Sequence, residues 1–465
     1  MRPMNQTSAP VSRTPRSGGG APLVLAWLMI CLVWATVWVI ALPAPRAHAD
    51  QRPTDIVCGS TVQTRKLTGT DAPDINAQEA MVVGQNGTVY FERDADKEVK
   101  IASITKVMTA IVALENAQLT DTVTVDKESA EVYGSTAGLK EGDTMPLETA
   151  MSALMVPSGN DAAMAIAKTV GAKFNPGNPM QGFVDKMNAK AKELGMTRTV
   201  FTNPHGLDDE QWAGNLHSTA RDVITMFTHA MKNEQFRKII NQNDATIVVK
   251  GADGKDRPLA LKGHNLLLGQ LGNIGGKTGT TPAAGSCYVS AFKQKDGGEI
   301  YTVVLGSSAG GQRYTDTKAL GTWYYHHWVA YPLANSGTKT AEGVGIVARV
   351  TNRAWSDKTV AVTTKQKTVG LFSLLGKVSE DVQLTGAAGA VSEGQTMGTL
   401  TLTQAGKQVA SVELVAAENQ AAPGPIEFCL VQFDRLVRLI SGQPTSAPTK
   451  LLNKTPDPMT IDKAA

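Results

Sequence analysis

Apolar side chains at Ile101, Ile104, Val107, Met108, Ile111 and Leu114 recur at intervals of three and four, which predicts a helix with one buried face. Upstream, 80–83 and 88–91 are β-rich runs separated by Gln85-Asn86-Gly87, and Asn-Gly between apolar runs predicts a hairpin. Further helices are expected over 146–155, 161–170 and 218–231, the first stopped by Pro157 and the last capped by Ser218 or Thr219. After Lys277 the period shortens towards two. Residues 286–292 and 299–305 read as strands joined across Asp296-Gly297-Gly298, and 315–329 returns to helix. Helices flanking an antiparallel sheet make an α+β domain, assigned to 76–333 behind a polar lead-in at 50–75.

From Thr338 the composition shifts to Val, Thr, Gly and Lys, with short alternating runs at 345–350, 358–364, 382–385, 398–403 and 408–415. This predicts a separate β-rich domain over 338–422. Pro423-Gly424-Pro425 ends it. Residues 426–440 then form an amphipathic helix, with Ile426, Cys429, Leu430, Phe433, Leu436, Val437 and Ile440 on one face and Glu427, Asp434, Arg435 and Arg438 opposite. The tail, 441–465, carries four prolines and few apolar residues and is expected to be disordered.

The N-terminus changes the picture most. Arg2, Arg13 and Arg16 precede an uncharged run over 17–45, and Ala47-His48-Ala49 offers small residues for signal cleavage before Asp50. Residues 1–49 read as a signal peptide or, if retained, as an uncleaved anchor. Either way the rest is expected on the outer face of the cytoplasmic membrane or in the cell wall. The net charge of +3 over 465 residues, without a long basic run, gives no reason to invoke nucleic acid. Of four cysteines, Cys31 lies in the apolar run. Cys58, Cys287 and Cys429 allow at most one intramolecular bridge, whose partners the sequence does not assign. With neither H-E-x-x-H nor Cys-x-x-Cys, no dedicated metal site or cofactor is expected.

Three strings carry candidate chemistry. In Ser103-Ile104-Thr105-Lys106, the spacing puts hydroxyl and amine on one face of a helix start, and a lysine acts as base once burial or a second cation lowers its pKa. Lys277 is the obvious second cation. Ser158-Gly159-Asn160 sits on a turn that projects a hydroxyl and an amide. Lys277-Thr278-Gly279-Thr280 follows a glycine-rich stretch at a strand edge, where Gly279 admits close approach of a substrate backbone. Singly each is ordinary: serine is a preferred helix cap, Ser-Gly-Asn is common turn chemistry, and a lysine on a turn is usually solvated. In this order, on these elements, they converge on acyl transfer.

The set resembles the penicillin-recognising serine D-Ala-D-Ala carboxypeptidases, the low-molecular-mass penicillin-binding proteins. The resemblance spans 77–329 and includes Ala102-Ser103-Ile104-Thr105-Lys106-Val107-Met108-Thr109-Ala110, Pro157-Ser158-Gly159-Asn160-Asp161, Asn203-Pro204-His205-Gly206-Leu207-Asp208 and Gly263-His264-Asn265-Leu266-Leu267. It implies a β-lactamase/transpeptidase-like catalytic domain. It also implies a reaction in which Ser103 attacks the penultimate D-alanine carbonyl of a peptidoglycan stem peptide, with Lys106 as base. The backbone N–H groups of Ser103 and Thr280 would form the oxyanion hole, and Ser158 and Lys277 would help protonate the departing D-alanine. Asn160 would hold Lys106. Thr278, Thr280 and Arg313 would bind the terminal carboxylate, and β-lactam antibiotics would acylate Ser103. His205 and His264 fall in the structural landmarks, Cys287 reads as a small buried residue, and Asp161 as a helix cap. No Glu-x-x-Leu-Asn string of a class A β-lactamase occurs. The alternatives on the same residues are a D,D-endopeptidase, a β-lactamase or a catalytically silent wall-binding protein. Peripheral membrane contact through 426–440 is a further expectation, against packing of that helix on the β-rich domain.

Overall fold

The computed structural model describes residues 51–294, 298–373, 378–404 and 407–455. The N-terminal apolar run, Asp296 and Gly297 of the expected hairpin turn, and 456–465 lie outside the described residues. The chain opens with β1 (Ile56–Val57) and β2 (Ser60–Thr61), and the first expected hairpin follows as β3 (Glu79–Gly84) and β4 (Val89–Arg93). Gly87 closes its turn at φ +83°, in the left-handed region open to glycine. A 3₁₀ turn, Ala102–Thr105, leads into α1 (Lys106–Asn116). After β5 (Thr122–Thr124) and β6 (Thr144–Pro146) come α2 (Leu147–Met155), α3 (Asn160–Gly171) and α4 (Pro179–Glu193). Helix α5 (Ala220–Ala230) is capped by Thr219, whose hydroxyl accepts from Asp222 N, and α6 (Glu234–Ile240) follows. Strands β7 (Asp244–Lys250) and β8 (Asp256–Lys262) complete a four-stranded sheet in the order β5-β6-β7-β8.

Three long strands, β9 (Asn273–Thr281), β10 (Gly285–Lys293) and β11 (Glu299–Ser307), then pair antiparallel, and α7 (Gln312–His327) packs behind them. The main sheet runs β2-β1-β4-β3-β11-β10-β9, which leaves β9 on an edge. Alternation along its strands sorts side chains into two cores. Met81, Val83, Val289, Ala291, Val303 and Leu305 join α1 to α5 on one face. Ala80, Val82, Tyr288, Ile300 and Val304 face Leu320, Trp323 and Tyr324 of α7 on the other. Helix α1 is buried nearly all round, from Lys106 to Ala113, so its lysine is enclosed along with its apolar stripe.

Beyond α7 the helix expected to reach residue 329 ends earlier. Trp328 and Val329 begin β12 (Trp328–Pro332), an extended run that β-branched and aromatic residues favour. The β-rich part contains β13 (Ile346–Thr351), β14 (Thr359–Thr364), β15 (Val369–Ser373), β16 (Val378–Leu384), β17 (Thr396–Gln404) and β18 (Lys407–Ala416) around its own core, with Val347, Val360, Val362, Phe372, Leu400, Leu402 and Leu414 buried. Strand β12 pairs with β15, tying this part to α7. Helix α8 (Pro425–Ile440) forms where the amphipathic pattern predicts it. Its orientation is the reverse of a surface helix. Asp434 pairs with Arg438 at 2.6 Å, and Arg435 Nη2 donates to the carbonyls of Arg353 and Trp355 at 2.6 and 3.3 Å. Ile426, Phe428, Leu430, Phe433, Leu436, Leu439 and Ile440 are each at least half exposed. The expectation of a structureless tail from Ser441 needs correction up to residue 455. There, β19 (Lys450–Leu451) adds to the edge of β13, and Thr351 Oγ1 donates to the Ala447 carbonyl.

Candidate active site

Ser103 lies in the 3₁₀ turn before α1, not in the helix proper, and Lys106 is the first residue of α1. Ala102 takes φ +46°, a left-handed conformation that a residue with a Cβ rarely adopts. Two glycines clamp this strained turn. A Cβ on Gly206 would come within 2.0 Å of the Ala102 carbonyl oxygen, and one on Gly279 within 2.8 Å of the Ile101 oxygen and 3.0 Å of Ser103 N. The glycine of Lys-Thr-Gly therefore lets β9 press against the serine turn.

The Lys106 amine is fully buried. It lies 2.9 Å from Ser103 Oγ and donates to Asn160 Oδ1 at 2.7 Å and to the His205 carbonyl at 2.9 Å. Burial first, then the charge of Lys277, holds its pKa well below the ordinary lysine range, with Asp161 opposing. Asn160 starts α3, and its Nδ2 donates to the Tyr133 carbonyl at 2.7 Å, which leaves Oδ1 for the lysine. Ser158, at φ +61° on the turn between α2 and α3, accepts from Lys277 Nζ at 2.8 Å. Lys277 is also fully enclosed and donates to the Thr278 carbonyl at 2.6 Å; burial first, then Arg313, brings its pKa down to about 7. Two serine–lysine pairs thus meet beside β9.

Thr280 is exposed on that edge, and Thr278 is buried. Behind them the buried Arg313 guanidinium donates from Nη1 to the Gly279 and Cys287 carbonyls at 2.8 and 3.2 Å, and from Nη2 to Thr280 Oγ1 at 2.5 Å. Nε reaches the Gly310 carbonyl at 2.9 Å. Arg313 therefore braces β9 and β10 and places its charge behind the Thr280 hydroxyl. All nine sequence-selected residues from Ser103 to Arg313 gather around the 3₁₀ turn, the Ser158 turn and the β9 edge.

Several positioning groups carry no side-chain signature in the sequence. The carbonyls of Tyr133 and His205, which orient Asn160 and Lys106, are backbone atoms on loops. Asp208 Oδ2 accepts from Thr281 Oγ1 at 2.8 Å, joining the loop after Asn203 to β9. Asp161 lies in the first turn of α3, with Gly159 in the cap position: its carboxylate accepts from Ala162 N at 2.8 Å and from Ala137 N and Leu139 N at 3.0 Å, fastening the neighbouring loop to α3. Cys287 is buried, with its thiol pushed up to about 12 by burial. Among the described residues none of the cysteines is in a disulfide, and no cluster of His, Cys, Asp or Glu suits a metal ion.

An antiparallel sheet with helices on both faces and two serine–lysine pairs at its edge define the class: a DD-peptidase of the β-lactamase/transpeptidase-like fold. The chain belongs to the peptidase S11 family, D-alanyl-D-alanine carboxypeptidase, whose sequence pattern matches residues 66–309. It is 26% identical to the D-alanyl-D-alanine carboxypeptidase DacF of Bacillus subtilis over 76% of this chain and 88% of that protein. It is 33% identical to DacB2 of Mycobacterium tuberculosis, over 53% of this chain and 81% of the relative. The crystal structure of the Streptomyces K15 DD-transpeptidase superposes with a TM-score of 0.51 at 31% identity, covering 54% of this chain and 97% of that one.

Proposed function

We propose that this enzyme is an exported D-Ala-D-Ala carboxypeptidase that removes the terminal D-alanine of peptidoglycan pentapeptides through an acyl-enzyme on Ser103. The observation that carries the reading is the buried Lys106 amine 2.9 Å from Ser103 Oγ. Asn160 Oδ1 and the His205 carbonyl only accept, so they take two N–H groups of the amine. In the neutral amine, which the depressed pKa favours, the lone pair is left for the serine proton.

Ser103 Oγ attacks the penultimate D-alanine carbonyl as its proton passes to Lys106 Nζ. The oxyanion is stabilised by the backbone N–H groups of Ser103 and Thr280, neighbours because Gly279 admits the turn. As the C–N bond breaks, the departing amine takes up the proton that Lys106 received, relayed by way of Ser158, which Lys277 holds at 2.8 Å, and Lys106 returns to the neutral amine. Thr278 and Thr280 bind the terminal carboxylate, with Arg313 acting through its hydrogen bond to Thr280. Water, activated by Lys106, then releases the shortened peptide. A β-lactam presents the same carbonyl and carboxylate, so it acylates the same serine.

The N-terminal pattern supports an extracytoplasmic location. The outward apolar face of α8 supports peripheral contact with the membrane, since so large an exposed apolar stripe is rarely left to water. The reaction is tested by comparing D-alanine release from a pentapeptide with cleavage of a cross-linked dimer, for the wild type and Ser103→Ala. Preferential release from the pentapeptide, lost in Ser103→Ala by at least about 1000-fold, is the expected result. Preferential cleavage of the dimer makes the enzyme an endopeptidase, and full activity in Ser103→Ala removes Ser103 from the reaction.

A further inference from the structure

Two loops supply the backbone carbonyls that orient the proposed base and its amide partner. The loop after Glu131 presents the Tyr133 carbonyl to Asn160 Nδ2, and the loop after Asn203 presents the His205 carbonyl to Lys106 Nζ. Each loop is fastened on its own side. Asp161 accepts from Ala137 N and Leu139 N, and Ser135 Oγ donates to the Pro157 carbonyl at 2.6 Å. On the other side, Asn203 Oδ1 accepts from His205 N and Gly206 N, and Thr109 Oγ1 donates to the Pro204 carbonyl at 2.6 Å.

Across the gap, Tyr133 Oη donates to Asp209 Oδ1 at 2.5 Å and approaches the Asp209 carbonyl at 3.3 Å. Tyr133 itself carries one of these carbonyls, and Asp209 stands four residues after His205, which carries the other. Gly134, at φ +89°, allows the tyrosine loop to lie this close, because a Cβ there would come within 2.8 Å of Asn160 Nδ2. Burial first, then the hydrogen bond to Asp209 and the nearby Asp208 and Glu210 charges, raise the Tyr133 phenol above its ordinary value, so it stays a donor in the working range.

We infer that Tyr133 and Asp209 are positioning residues: their hydrogen bond straps together the two loops that aim Asn160 and Lys106 at Ser103. This rests on the reading of Ser103 and Lys106 given above. The strap touches neither the serine nor the lysine side chain. It restricts where the two carbonyls stand, and so how the amine lone pair points.

The test uses the full chain and a fluorescent penicillin, with the acylation rate constant separated from half-saturation. Tyr133→Phe and Asp209→Ala are each expected to slow the acylation step about tenfold, the effect of losing roughly 1.4 kcal/mol of alignment, with half-saturation and thermal midpoint unchanged. The double variant should be no slower than either single, and Asp209→Asn, which keeps an acceptor, should recover most of the rate lost in Asp209→Ala. Full-rate acylation of Tyr133→Phe, losses that multiply in the double variant, or a loss that follows the thermal midpoint would each overturn the strap. A wild type that penicillin does not acylate at all would instead strike the reading of Ser103, leaving the two failures distinct.

Discussion

Gly279 shows how one absent side chain sets the geometry of the site. β9 carries Lys277, Thr278 and Thr280, and it must lie against the Ala102–Ser103 turn for these to face the serine. Gly279→Ala would put a methyl 2.8 Å from the Ile101 oxygen and 3.0 Å from Ser103 N, both backbone atoms that cannot swing aside. The expected result is a stability loss of about 1–3 kcal/mol and a fall in acylation by at least about tenfold, read by thermal melting and by stopped-flow with a labelled penicillin. An unchanged acylation rate would show that the strand does not need this contact. At this scale, side chains and their order were legible in the sequence: the three-residue spacing of Ser103 and Lys106 and the three strings in sequence order. The carbonyls of Tyr133 and His205 were not, because a backbone acceptor looks the same in every residue. The strained φ of Ala102 was equally hidden, since nothing about alanine announces a left-handed conformation.

Among the elements, α8 separates what periodicity reveals from what it leaves open. The spacing of Ile426, Phe433, Leu436 and Ile440 marks an amphipathic helix, yet periodicity does not say which face meets the body. Here Arg435 reaches the carbonyls of Arg353 and Trp355 and Val431 is buried, while the rest of the apolar side chains turn out. At 16 residues α8 is too short to cross a bilayer, and no helix among the described residues is long and apolar enough to do so. If the helix lies in a membrane surface, replacing Phe428, Phe433 and Leu436 by serine removes side chains worth roughly 1.5–3 kcal/mol each on full burial, and vesicle partitioning falls by at least about 100-fold. Flotation with phosphatidylglycerol-containing liposomes reads this directly. Equal flotation of the variant, or none by the parent, would contradict it. Other elements departed from the pattern through pairing at a distance. Trp328 leaves α7 because β12 finds β15, and Lys450–Leu451 become a strand because β13 offers an open edge. Neither partner is near in sequence, so no local pattern foretells it.

For the whole molecule, the α+β arrangement and the β-rich part were legible because both rest on alternation and helical period. Residues Asp50–Ala465 form one compact unit in which the main sheet is faced by two cores and the β-rich part by a third. The site belongs to this assembly and not to any one segment: the 3₁₀ turn and α1 bring the serine and its lysine, the α2–α3 turn brings Ser158 and Asn160, and β9 closes the cleft with Lys277, 119 residues beyond Ser158. Treating the purified chain with penicillin and mapping the adduct by peptide mass spectrometry probes that convergence at the serine itself. One stable acyl adduct on Ser103, absent from Ser103→Ala, is the expected result. An adduct on another residue, or rapid turnover of penicillin with no adduct, would contradict it.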